Sequence, residues 1–403
     1  MTKQLLHGTL VYSIAAVVAA GLNTLFYTLG KYLGPEEFGR LSALIAVVYV
    51  ISVVQSIFTG LIAKVVSSQE FSIPKFATKL TPIILKAEVV FAFVFLAISA
   101  ILLSGFLKIY DWQPYLWIAL LILILFVQAV YRGILQGAKL FNEFALLQVL
   151  EAITKLGFAF LAVALGLGTS GVIFALVLSA LMTLVIGMLL SRRIKSAGSV
   201  NLKTIFPLRL LTSVSAGFIL LNLIFVVDSL VARNKLSAAD SGFYGAIITF
   251  GKFIYFLSNS ITLALFPLAA DKRSGRKLLF SGLVVTFVFS LGGLLIFIMF
   301  GPQLTNLIFG SSFAGINIYL PQQGVIAGLY SLISIIAVYL LGKDSYRITS
   351  VLGLGLVMQL GLLMIFADGI ATLLNLQIVI MSVILVASLL YLFYVEHLHE
   401  KLK

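Results

Sequence analysis

The chain has 403 residues, 61% of them hydrophobic and only 10% charged, with a formal net charge of +13 and a mean hydropathy of +1.17. That balance is too apolar for a globular fold in water, so lipid must be the solvent for most of its surface. The chain has no cysteine, which excludes disulfides, thiolate-held iron–sulfur clusters and cysteine zinc sites, and its three histidines (His7, His397 and His399) lie near the ends, where solvated or headgroup-level roles suffice.

Each bilayer crossing needs about 20 apolar residues, and runs this long can only be helices because backbone groups in hydrocarbon must be satisfied internally. In chain order the runs fall at 8–30, 41–66, 80–107, 115–136, 145–167 and 170–191. After the charged stretch from Arg192 to Lys203 come 206–231, 244–268, 278–300, 318–341, 347–366 and 370–394. The first is too long for a signal-peptide core and is expected to remain as a membrane helix. The expected fold is all-α, a polytopic membrane protein of about twelve transmembrane helices. The charged midpoint divides it into an N-terminal six-helix lobe, 1–197, and a C-terminal six-helix lobe, 198–403.

Loops rich in Lys and Arg stay in the cytoplasm. With the termini inside, twenty of the 27 basic residues fall in cytoplasmic segments and five outside, so both termini are expected in the cytoplasm of a cell (plasma) membrane protein. The same rule explains the positive charge without nucleic acid, since basic loops also meet anionic headgroups. An internal repeat fits this division: Leu33-Gly34-Pro35-Glu36-Glu37-Phe38-Gly39 returns as Leu236-Ser237-Ala238-Ala239-Asp240-Ser241-Gly242 at an offset of 203. Both copies follow an odd-numbered helix, so the halves have the same topology, related by an axis along the membrane normal.

The segment from Gly30 to Leu41, Gly-Lys-Tyr-Leu-Gly-Pro-Glu-Glu-Phe-Gly-Arg-Leu, resembles the helix 1 to helix 2 signature of polysaccharide-unit flippases in the multidrug/oligosaccharidyl-lipid/polysaccharide exporter superfamily. Asp228 with Leu236 to Tyr244, Phe266-Pro267-Leu268, and Leu304 to Gly310 fall where similar family patterns fall. The Pro, Gly and acidic residues of these motifs suit turns and helix N-termini, so they read as architecture. The resemblance implies two six-helix lobes around a central cavity open alternately to either side. It also implies a polyprenyl-pyrophosphate-linked oligosaccharide as substrate.

Polar groups inside the helices are the candidates for the work, because hydrocarbon penalises them. On helix 8, Lys252, Tyr255, Asn259 and Thr262 share one face. The same offset of 203 maps them to Tyr49, Ser52, Ser56 and Thr59 on helix 2. These two stripes are expected to line the cavity, although hydroxyls and amides also serve interhelical hydrogen bonds. Lys252 has no acid within one turn and is expected to meet the substrate's pyrophosphate. On helix 5, Glu151 and Lys155 are an i, i+4 pair that either neutralise one another or separate when phosphate takes Lys155 and Glu151 takes a proton. Glu88 on helix 3, with Lys86 nearby, and Asp228 on helix 7 are further ion-coupling candidates.

The function expected is ion-coupled translocation of the lipid-linked oligosaccharide to the outer leaflet, with glycosyltransferases or a polymerase of the pathway as partners. A cation-coupled multidrug or metabolite exporter is the alternative, and a membrane-embedded glycan ligase the rival from another class. No enzyme activity, cofactor or metal is expected, and no glycine-rich phosphate loop of the Walker type is present.

Overall fold

The computed structural model describes residues 3–68, 73–192, 208–269, 275–343 and 345–401. These residues form twelve long helices: α1 Lys3–Phe26, α2 Gly30–Ser68, α3 Ile73–Ile98, α4 Gln113–Gly137, α5 Phe141–Ala164 and α6 Gly168–Ser191, then α7 Leu208–Lys235, α8 Ala238–Ala269, α9 Gly275–Phe309, α10 Leu320–Gly342, α11 Ile348–Phe366 and α12 Ile370–Lys401. No strand occurs among the described residues. The expected all-α, twelve-helix architecture is what the chain adopts, and α3 runs on through a π-turn at Ser99–Leu103. The wider hydrogen-bond ring of such a turn adds a residue without breaking the ladder.

The helices separate into two compact units: Met1–Leu33 with Val47–Pro207, and Gly34–Ala46 with Leu208–Lys403. The expected boundary at 197/198 lies in 193–207, outside the described residues. Residues 34–46, assigned by chain order to the first lobe, group instead with the second unit. Each unit has a buried central helix. In the first it is α4, whose apolar window is 72% buried, and in the second α10, at 83%. Conversely α3 and α9 keep only 11% and 17% of their windows buried, which marks them as surface a bilayer would cover. The fourth and the third helix of each set of six therefore play matching parts.

The repeat seen in the sequence packs closely upon itself within the second unit. Gly34 adopts φ 76°, ψ 169°, a conformation that favours glycine, and Pro35 then starts the long segment of α2. In the other copy Ser237 caps α8: its Oγ accepts from Asp240 N–H at 3.1 Å and donates to Asp240 Oδ2 at 2.7 Å. The two copies lie directly on one another. A Cβ on Gly39 would come within 3.0 Å of the Ala238 carbonyl oxygen, and one on Gly242 within 1.8 Å of that of Pro35. These contacts interchange under the 203-residue offset, so the glycines are required by a local two-fold that lets backbone meet backbone. Phe38 seals it against Phe309 and Phe313, at ring separations of 5.3 and 5.9 Å.

Candidate functional site

The first unit holds a continuous polar ladder through its apolar interior. Gln55 on α2 donates to Gln128 Oε1 at 2.9 Å and to the Leu125 carbonyl at 3.0 Å. Gln128 on α4 in turn donates to Thr183 Oγ1 on α6 at 2.6 Å. Ser179 joins α6 to α5 through the Glu151 carbonyl at 3.0 Å and Thr154 Oγ at 2.8 Å. A buried amide left unpaired costs more than the net gain of a formed bond, so such ladders fix helix register.

Charges sit at the α5 end of this ladder. Arg132 on α4 forms an ion pair with Glu151, and the Lys155 ammonium donates to Asn23 Oδ1 on α1 and lies 5.2 Å from the Phe26 ring centroid. Glu151 and Lys155, expected to pair along their own helix, thus turn to different neighbours. No ion pair between them occurs among the described residues, and Lys155 is left with neutral company. Glu88, 3% exposed, accepts from the Val127 backbone N–H at 3.0 Å, while its Oε2 has no partner among the described residues. Lys86 is exposed.

The helix 2 stripe behaves mostly as the hydrogen-bonding alternative describes, but within its own helix. Ser52, Ser56 and Thr59 donate to the carbonyls of Val48, Val53 and Gln55 at 2.9, 2.8 and 3.1 Å. Tyr49 is half-buried and Ser56 exposed. Gln55, one position from Ser56 and absent from the sequence-based stripe, does reach another helix, bonding to α4.

In the second unit a cavity of about 370 Å³, its open mouth included, is lined by Asp228, Lys252, Gln323, Tyr330 and Gln377 among apolar side chains. Asp228, 7% exposed, accepts from Tyr244 O–H and Ser229 N–H, both at 2.8 Å. Lys252 lines the same cavity as that carboxylate. Sequence spacing could not reveal this, since the two residues are on different helices. Tyr255 is 6% exposed and packs into an aromatic cluster with Phe225 and Tyr330, centroids 4.6 and 5.0 Å away, behind the cavity wall. The side chains of Asn259 and Thr262 lie outside the described residues. Gly251 admits the Gln323 amide, which a Cβ there would meet at 2.1 Å. Gln359 extends the network by donating to Gln377 Oε1 at 3.2 Å and to the Ile224 carbonyl at 3.1 Å.

The buried glutamines Gln55, Gln128, Gln323, Gln359 and Gln377 stand in the apolar runs as visibly as the charges do. Arg132 falls within the apolar run 115–136, and its guanidinium works inside the unit by pairing with Glu151. No group of three His, Asp or Glu able to hold a metal ion occurs among the described residues.

Residues 5–272 match the family described as polysaccharide biosynthesis protein. No protein of curated function matches the sequence directly. Among solved structures, an inward-facing multidrug resistance MATE family transporter of the MOP superfamily aligns with a TM-score of 0.71 at 14% identity, covering 95% of this chain and 99% of that one. The lipid II flippase MurJ, in an inward closed conformation, aligns at 0.69 and 16%, covering 97% and 87%. A MOP superfamily transporter from Pyrococcus furiosus, described as having a binding pocket of reverse polarity, aligns at 0.63 and 17%, covering 96% of each chain. At these identities the likeness establishes a shared fold.

Proposed function

The chain belongs to the polysaccharide biosynthesis protein family, and from that premise we propose that it moves a polyprenyl-pyrophosphate-linked oligosaccharide from the cytoplasmic to the outer leaflet by alternating access. It is a multi-pass membrane protein with a transporter fold. The loop charges orient it with both termini in the cytoplasm of the plasma membrane. Glycosyltransferases and a polymerase that make and consume the glycan are its pathway partners.

The observation that carries the substrate reading is Lys155. A cation held among an amide, an aromatic face and hydrocarbon, with no carboxylate ion-paired to it among the described residues, is a standing cost to the fold. Its use is to meet an anion that sheds water on entering the protein, where charge-assisted hydrogen bonds replace hydration. Lys252 supplies a second cation in the other unit, and the half-buried Tyr49 adds aromatic surface for sugar rings, whereas Tyr255 is packed away behind the cavity wall. Glu151, Glu88 and Asp228 are the carboxylates able to carry the coupling proton or cation, each from a different environment.

The MATE match favours one alternative, a cation-coupled exporter of small molecules in which the acids contact the cargo and the lysines are incidental. Lys252 variants expressed at matched membrane levels in a strain lacking the native copy separate the two. Lys252→Ala is expected to abolish surface glycan and Lys252→Arg to retain part of it. Normal glycan from Lys252→Ala, with altered drug resistance in Asp228→Asn, would replace the flippase reading by the exporter.

A further inference from the structure

Asp228 and Lys252 come from successive helices, α7 and α8, yet line one small cavity. At about 370 Å³ with its open mouth included, the cavity lies at the lower end of the range of about 300 to 1,000 Å³ for drug-sized ligands, so it suits a small anionic group better than an oligosaccharide. Its other polar lining is uncharged: Gln323 and Tyr330 from α10 and Gln377 from α12. Among the described residues, the elements packed around Asp228 bring few charged or titratable groups to that lining, and Tyr255 of α8 stays behind it against Tyr330. On α7 itself Arg233 is turned to Ser241, 3.0 Å away; α8 brings Tyr244 and Lys252; α10 brings Tyr330, which donates to the Leu221 carbonyl at 3.0 Å; α11 and α12 bring only the amides of Gln359 and Gln377. Among the described residues, Lys252 is therefore the cation that shares the cavity with Asp228.

A second observation concerns Gln323. Its Oε1 is buried on the same wall, the residue is 6% exposed, and the oxygen has no hydrogen-bond partner among the described residues. Buried acceptors are rarely left so, and this one belongs to a residue of the cavity lining.

We infer that Asp228 and Lys252 form an exchange pair in which an entering phosphate takes over the lysine while the aspartate takes up one proton from water. This rests on the anionic-substrate reading above and adds how that substrate would be coupled to protons. The balance is simple. The ammonium keeps its proton throughout and changes partner from carboxylate to phosphate. Asp228 goes from carboxylate to carboxylic acid, so the cavity gains one anionic charge from the ligand and one compensating proton. The new carboxyl O–H needs an acceptor, and Gln323 Oε1 is available. Release of the anion reverses each change, so the proton leaves when the cargo does and serves to neutralise the anion in transit, not to drive its export.

The test uses inorganic pyrophosphate and the purified full chain in lipid nanodiscs. Calorimetric titration in two buffers of different ionisation enthalpy separates proton uptake from binding. The natural chain is expected to take up about one proton more per pyrophosphate than Asp228→Asn, in which the ligand's own titration is the same. Lys252→Met is expected to bind about tenfold more weakly or worse. Its melting temperature should also fall, and the double variant Asp228→Asn/Lys252→Met should regain what the single one lost, because a neutral pair leaves no stranded charge. Equal proton uptake by the natural chain and Asp228→Asn, with binding intact, overturns the exchange and leaves the anionic substrate standing. A Lys252→Met chain as stable as the natural one also overturns it. Absence of pyrophosphate binding by the natural chain would remove both.

Discussion

The two units solve the same problem, polar groups in an apolar interior, in different ways. The first ties its glutamines, threonines and serines into a ladder and pairs Arg132 with Glu151 across α4 and α5, leaving Lys155 against Asn23 and Phe26. The second gathers Asp228 and Lys252 on one cavity beside an unsatisfied glutamine oxygen. A ladder whose bonds are all made resists rearrangement, whereas a cavity whose groups have unused capacity can change partners without breaking the helices that carry them. On the proposed function, the first unit would set one cation apart for an anion, and the second would hold cation and acid ready for exchange.

The contrast can be broken most directly at Lys155. Lys155→Met keeps the length and apolar stem while removing the charge, so the chain should insert and fold at natural levels and yet lose surface glycan. Normal glycan from this variant would reduce Lys155 to a space-filling residue, and the first unit would have no anion site. The next largest effect is expected at Arg132. Arg132→Ala strands a partly buried carboxylate, costing about 1–2 kcal/mol once the remaining exposure of the pair is allowed for, and read as a lower melting temperature in detergent. Adding Glu151→Gln should recover most of that loss. If the double variant instead sums the two single losses, the pair contributes no coupling and the ladder alone holds α4 to α5.

The smallest effects sharpen the account of the helix 2 stripe. Ser52→Ala and Ser56→Ala remove hydroxyls that bond only carbonyls of their own helix, so stability should change by about 0.5 kcal/mol or less and glycan output should not change. Gln55→Leu, between them in spacing, should cost more, since it leaves Gln128 Oε1 without its donor. Serine variants that lose transport would restore this stripe to the substrate path.

The sequence by itself determined the solvent, the number of helices and the repeat. Bilayer thickness and backbone satisfaction leave few choices for runs as long and apolar as 170–191 or 370–394, and these recur as α6 and α12 within a few residues. The repeat around Gly39 and Gly242 was legible because glycine and a capping acid are demanded by local geometry. The partner of each buried charge was not legible. Spacing along a helix puts Glu151 beside Lys155, but a neighbour one turn away competes with every group that packing brings from other helices, and Arg132 and Asn23 arrive from α4 and α1. Lys252 seemed solitary for the same reason, its acid lying 24 positions earlier on α7. In a bilayer, hydropathy is a property of each segment and can be read one helix at a time. Charge compensation belongs to the packed bundle, so only the tertiary structure decided it.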